Sequence, residues 1–97
     1  MTTNEAPPMH LPDIDIEYLF AFLKDILNTP SPTGFAHQAI ERIDQELSAY
    51  PFLVRWRTRK GGLVAAWRVA GSQAPRALTA HADTLGAMVR EIKTSGR

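Results

Sequence analysis

Ile16, Leu19, Phe20, Leu23, Ile26 and Leu27 recur at i, i+3, i+4 spacing, the spacing of one helix face. Asp13 or Asp15 stands ahead of the run as a cap, since a short carboxylate accepts from the open N–H groups of a first turn. The pattern stops at Asn28, and Pro30 and Pro32 prevent continuation. A second stripe follows at Ala36, Ala39, Ile40, Ile43 and Leu47, with Glu41, Arg42 and Gln45 outside it. Thr33 is the expected cap of this helix, and Tyr50-Pro51 its end. After Pro51 the period falls from 3.6 to 2. Phe52, Val54, Trp56 and Thr58 alternate with Leu53, Arg55, Arg57 and Arg59, which reads as a half-buried strand. Lys60-Gly61-Gly62 supplies a turn, and Leu63 to Val69 returns as a second strand. Arg76–Ala80 and Leu85–Ile92 read as a third and a fourth. Helix, helix, then strands predicts an α/β fold, with two N-terminal helices followed by strands of a mixed sheet. Residues 1–12, with Pro7, Pro8 and Pro12, read as a mobile leader.

Composition narrows the class. The 97 residues are 44% hydrophobic and 22% charged, with 6 Gly and 7 Pro. These values fit a folded domain and exclude collagen-like or low-complexity chains. A complete domain of this size buries roughly two-thirds of its unfolded surface. There is no cysteine, so disulfides and thiolate zinc sites are excluded, and a metal must use His, Asp, Glu or water. No apolar run approaches the roughly 20 residues of a membrane span. The start lacks the pattern of a secretory signal. A soluble cytoplasmic protein without a membrane partner is expected.

The net charge of +1 conceals a segregation. Residues 1–50 carry eight acids against Lys24 and Arg42, and residues 51–97 carry nine bases against Asp83 and Glu91. Either a nucleic-acid surface or acidic helices packed beside a basic hairpin produces this polarity. Arg55, Arg57 and Arg59, interleaved with Trp56 and near Trp67, are the candidate nucleic-acid face. The plainer reading, a solvated outer face with tryptophans in the core, is preferred, and no nucleic-acid partner is expected.

His81-Ala82-Asp83 holds the most informative chemistry. Residues i and i+2 of a strand share a face, so an imidazole and a carboxylate come side by side, with small Ala80 and Ala82 leaving room. A metal-ligating His needs such an arrangement: one ring nitrogen binds the metal and the other donates to a carboxylate. The competing reading is a satisfied polar pair at a strand end. His10 in the leader and His37 in a first helical turn read as exposed side chains. Pro30-Ser31-Pro32-Thr33-Gly34 reads as a stiff helix–helix connector, because it lacks the Lys-Ser/Thr ending of a phosphate loop.

Three stretches, in order, carry a family resemblance. They are Asn28-Thr29-Pro30-Ser31-Pro32-Thr33-Gly34-Phe35, then Lys60-Gly61-Gly62-Leu63-Val64-Ala65, then Thr79-Ala80-His81-Ala82-Asp83-Thr84-Leu85-Gly86-Ala87-Met88-Val89-Arg90-Glu91-Ile92. Over about residues 16–97 the chain resembles the N-terminal part of the tetrahedral (glutamyl or deblocking) aminopeptidases. These are di-metal metallopeptidases, some of them labelled endoglucanase or cellulase-like. His-x-Asp followed closely by Gly-x-Met-Val is the specific part. Two departures stand in the sequence: Ala36 where the family has an acid, and Gly61-Gly62 where it has Gly-Asn.

The resemblance implies the start of a zinc-exopeptidase-like catalytic domain. It implies His81 as ligand to one of two divalent metal ions, zinc or cobalt, and Asp83 as the carboxylate that orients His81. It implies peptide as the substrate and a homo-oligomeric complete form. The bridging carboxylate, the general-base glutamate and the remaining ligands match no position here. The 97 residues are thus expected to bind at most one ion weakly and to be inactive alone. Residues 13–84 are expected to form the N-terminal part of the catalytic domain, and residues 85–97 to lead into a β-rich dimerisation domain further along the chain. Two rivals remain: a noncatalytic remnant or interaction module, and a small basic nucleic-acid-binding domain. A glycosidase needs two carboxylates flanking a sugar, and no such pair is apparent.

Overall fold

The computed structural model describes residues 10–97. Nine of the twelve leader positions therefore lie outside the described residues, while His10, Leu11 and Pro12 are exposed and belong to no element. Helix α1 spans Ile16–Leu27. Of the two candidate caps, Asp15 does the work: its carboxylate accepts from the Tyr18 N–H at 3.0 Å. Helix α2 spans His37–Leu47. Its apolar stripe is the expected one, with Ala39 fully buried and Ala36, Ile40, Ile43 and Leu47 half-buried.

The cap expected for α2 is not formed. Its N-cap is Ala36, which offers no side-chain acceptor. Gly34, at φ +84, closes a turn in which the Phe35 N–H donates to the Pro32 carbonyl at 2.8 Å. A positive φ at the third position of such a turn suits glycine. The turn delays the helix start by several residues and carries Thr33 away from it.

Polar contacts join the two helices. The Tyr18 hydroxyl donates to Glu46. Arg42, expected outside the stripe, donates to Asp25 at 2.6 Å and to Glu46 at 2.9 Å, and lies over the Phe22 ring at 5.1 Å. The apolar face of α1 stays largely open, with Leu19 and Leu23 each 46% exposed.

Strands β1, Leu53–Arg57, and β2, Leu63–Trp67, pair antiparallel with Trp56 opposite Val64 and Arg55 opposite Ala65. The turn between them has the Gly61 N–H on the Thr58 carbonyl at 3.0 Å and the Thr58 N–H on the Gly62 carbonyl at 2.8 Å. With Gly61 at φ +84, this is the three-residue hairpin loop that ends in a bulge.

The α/β class is therefore observed as two helices followed by a two-stranded antiparallel sheet. β2 ends at Trp67 rather than Val69. Arg76–Ala80 and Leu85–Ile92 are not strands. A strand exists through its ladder of hydrogen bonds, and neither segment finds a neighbour among the described residues. Leu78 and Leu85 are fully exposed accordingly. One isolated parallel bridge, Pro32 to Thr84, is the exception, and it positions the site.

Burial is far below that of a complete domain. The accessible surface is 9588 Å², against about 15,700 Å² for the unfolded chain, so roughly two-fifths is removed rather than two-thirds. Neither tryptophan is in a core: Trp56 is 44% and Trp67 69% exposed.

Candidate metal-ligand site

The Pro-Ser-Pro-Thr-Gly loop is more than a connector. Ser31 is nearly buried, at 3% exposure, and its carbonyl accepts from the Thr84 N–H at 2.8 Å. The two hydroxyls, Ser31 Oγ and Thr84 Oγ1, lie 3.4 Å apart. Gly86 lets the segments approach closely: a Cβ at this position would stand 3.2 Å from the Pro32 Cβ. The loop thus docks against residues 82–86 through the Pro32–Thr84 bridge.

His81 and Asp83 come together on this docked segment. Nδ1 of His81 lies 3.0 Å from Asp83 Oδ1 and 3.0 Å from the Asp83 carbonyl oxygen. Both partners are acceptors, so Nδ1 is the protonated nitrogen. The two side chains meet, as the i, i+2 spacing predicts, on a segment that is not a paired strand. The second carboxylate oxygen, Oδ2, accepts from Thr33 Oγ1 at 2.8 Å. That donation is the largest influence holding the Asp83 carboxyl below its ordinary pKa; partial burial opposes it and His81 reinforces it.

The His81 side chain is 86% exposed and that of Asp83 38%. The imidazole edge that carries Nε2 is therefore open to solvent. Both residues line a cleft of about 400 Å³ together with Phe35, His37, Lys60 and the glycine turns at Gly34 and Gly61. His37 stacks edge-on against Phe35, with ring centroids 4.4 Å apart.

This donor chemistry fits one coordination position of a divalent cation of the zinc type. The carboxylate fixes the ring tautomer and the opposite nitrogen keeps its lone pair. No group of three or more His, Asp or Glu side chains that could hold a metal occurs among the described residues. His81 and Asp83 are the one His–carboxylate pair at this cleft.

The arginine strand is organised differently. Arg55 donates to the carboxylate of Asp44 on α2 and, at 3.0 Å, to the Asp44 carbonyl. Arg57 reaches the other Asp44 oxygen at 3.5 Å. Here the charge segregation has the second of its two causes, acidic helix beside basic hairpin. Two of the three arginines are thereby occupied by an acid of the same chain.

The contact of His81 with Asp83 follows from their spacing; the contacts of Ser31, Thr33 and Thr84 do not. Thr33 Oγ1 and Asp83 are fifty positions apart, and no spacing rule joins them. The one available signal was the stiffness of a loop with two prolines, which suits a docking element as well as a connector.

Over 75 residues the chain is 43% identical to the Bacillus subtilis (strain 168) protein named "Putative aminopeptidase YhfE". The match takes in 77% of this chain and 21% of that protein, so the chain spans about a fifth of the length of the curated relative it matches. This identity supports an aminopeptidase-like family. No family model matches the chain, and no solved structure matches it at a significant level. No helix among the described residues is long and apolar enough to cross a membrane.

Proposed function

We propose that these residues belong to a metal-dependent aminopeptidase of the tetrahedral (glutamyl or deblocking) type, which hydrolyses the peptide bond at peptide N-termini. The observation that carries the reading is the 3.0 Å contact of His81 Nδ1 with Asp83 Oδ1 on an open imidazole. Likeness to an aminopeptidase-named protein supports the choice of reaction. His81 is the ligand to one of two divalent ions, zinc or cobalt, and Asp83 is the carboxylate that orients it. Such ions, when bound, polarise the scissile carbonyl and lower the pKa of the attacking water.

What this chain does toward that chemistry is limited and specific. Asp83 holds the proton of the imidazole on Nδ1, so Nε2 presents its lone pair outward. The docked Pro30–Gly34 loop keeps that orientation fixed. No general base is assigned to any residue here. A single imidazole with water in the other positions binds an ion weakly, so catalysis belongs to the whole protein and the 97 residues alone are inactive. The whole protein is proposed to be cytoplasmic and homo-oligomeric, with peptides rather than nucleic acid or membrane as partners.

The test is hydrolysis of aminoacyl-p-nitroanilides by the whole protein in zinc or cobalt. Asp83→Asn is expected to lower metal affinity or activity by about 10–100-fold. His81→Ala is expected to remove activity. Undiminished turnover in both variants would reject the assignment.

A further inference from the structure

Thr33 has a hydroxyl that the expected capping role does not use. Helix α2 has no side-chain cap, and Thr33 Oγ1 is committed instead to Asp83 Oδ2 at 2.8 Å. The other oxygen of the same carboxylate meets His81. We propose that Thr33 is a positioning residue for His81: by anchoring Oδ2 it holds the Asp83 carboxylate so that Oδ1 accepts the Nδ1 proton and Nε2 keeps the outward lone pair.

The need for an anchor follows from side-chain physics. The terminal torsion of an aspartate is broad and roughly two-fold, so a carboxylate held at one oxygen can swing. A β-branched threonine is stiff at χ1 and is a suitable second holder. Thr33 is itself fixed from both sides. The Phe35 N–H closes the turn onto Pro32, and the Pro32–Thr84 bridge ties the loop to the segment that carries His81.

Thr33 and His81 therefore both donate to the Asp83 carboxylate, one to each oxygen. The tautomer is the quantity that this arrangement sets. Free histidine favours the proton on Nε2, whereas this geometry demands it on Nδ1. The Asp83 carbonyl also faces Nδ1, yet the carboxylate is the stronger acceptor because it is charged. Loss of the Thr33 anchor should therefore shift the tautomer balance toward that of free histidine.

The role rests on the metal-ligand reading for its purpose, though not for its geometry, and the experiment separates the two. Nitrogen-15 NMR of the metal-free full chain, labelled at histidine, reads the tautomer at about pH 8.5, where an ordinary imidazole is neutral. His81→Gln assigns the His81 resonances. The wild type and Thr33→Ser are expected to show predominantly the Nδ1–H form of His81. Thr33→Val is expected to show a clear rise in the Nε2–H form at His81, with His10 and His37 unchanged. If the valine variant loses its dispersed amide spectrum, Thr33→Ala takes its place. An Nε2–H form in the wild type overturns the proposal, and so does an identical tautomer ratio with and without the hydroxyl. Zinc then distinguishes the readings. A tautomer that responds to Thr33 in a protein whose His81 ignores zinc upholds the positioning role and removes the metal-ligand one.

Discussion

Gly34 and Gly86 are the residues on which the placement of His81 depends most indirectly. Gly34 lies at φ +84, a conformation that an L side chain adopts at a cost. In the whole protein, Gly34→Ala is expected to destabilise the docked loop by about 1–2 kcal/mol, read as a lower denaturation midpoint. Gly86→Ala drives a methyl to 3.2 Å from the Pro32 ring, so the loop must give by a few tenths of an ångström. Its expected signature is faster amide exchange at Thr84, whose N–H is bonded to the Ser31 carbonyl; unchanged protection would show that the approach of the two segments is not tight. At this scale the sequence was informative about His81 and Asp83, because two positions separate them and a short span of backbone joins them. It made Thr33 a helix cap and Ser31 part of a connector, because their partners lie about fifty residues away and are found only after folding.

Among the elements, α1 was legible to its last residue because its cap, its apolar period and its proline stop agree. Asp15→Ala is expected to cost about 1 kcal/mol of helix stability, measured by circular dichroism. Helix α2 was legible in its stripe but not in its start, since a glycine turn takes up the residues that a threonine cap would have ordered. The third and fourth strands failed for a different reason. Alternating apolar sequence gives a segment the capacity to pair, but pairing needs a neighbour, and none is found among the described residues. The α1–α2 contact also has a pH signature. Donation to Glu46 is the main cause that pushes the Tyr18 phenol up from 10.0 to about 12. A raised value means that the contact stabilises fully below pH 10.0 and is lost as pH rises through about 12. The Glu46 carboxyl is held below its ordinary value by Tyr18 first and by Arg42 next. Its contribution is present above the ordinary carboxylate range and is lost as pH falls through the lowered value. Thermal melts of the whole protein across pH should therefore weaken at both ends, and Tyr18→Phe should remove this contact's part of the alkaline loss. An alkaline limb of the same size in that variant would mean that Tyr18 does not couple the helices.

The described residues bury little apolar surface. Only Ala39 forms a buried apolar core among the described residues, and the radius of gyration is 20.2 Å, against about 13 Å for a compact domain of this length. Open apolar surface lies along α1, in a cleft of about 480 Å³ that Leu19, Phe22, Leu23 and Ile43 help line. The 97 residues alone are therefore expected to unfold without a sharp transition and to self-associate, seen as a mass that grows with concentration in light scattering. A monodisperse monomer with a cooperative melt would overturn that expectation. The same openness leaves His81 facing solvent, so the central claim is accessible to one direct measurement. Zinc is titrated into the histidine-labelled whole protein while the Nε2 resonance of His81 is followed. The account predicts that this nitrogen shifts on metal addition while its Nδ1 stays protonated against Asp83. A shift at Nδ1 instead, or no response at His81 while zinc binds elsewhere, would contradict it.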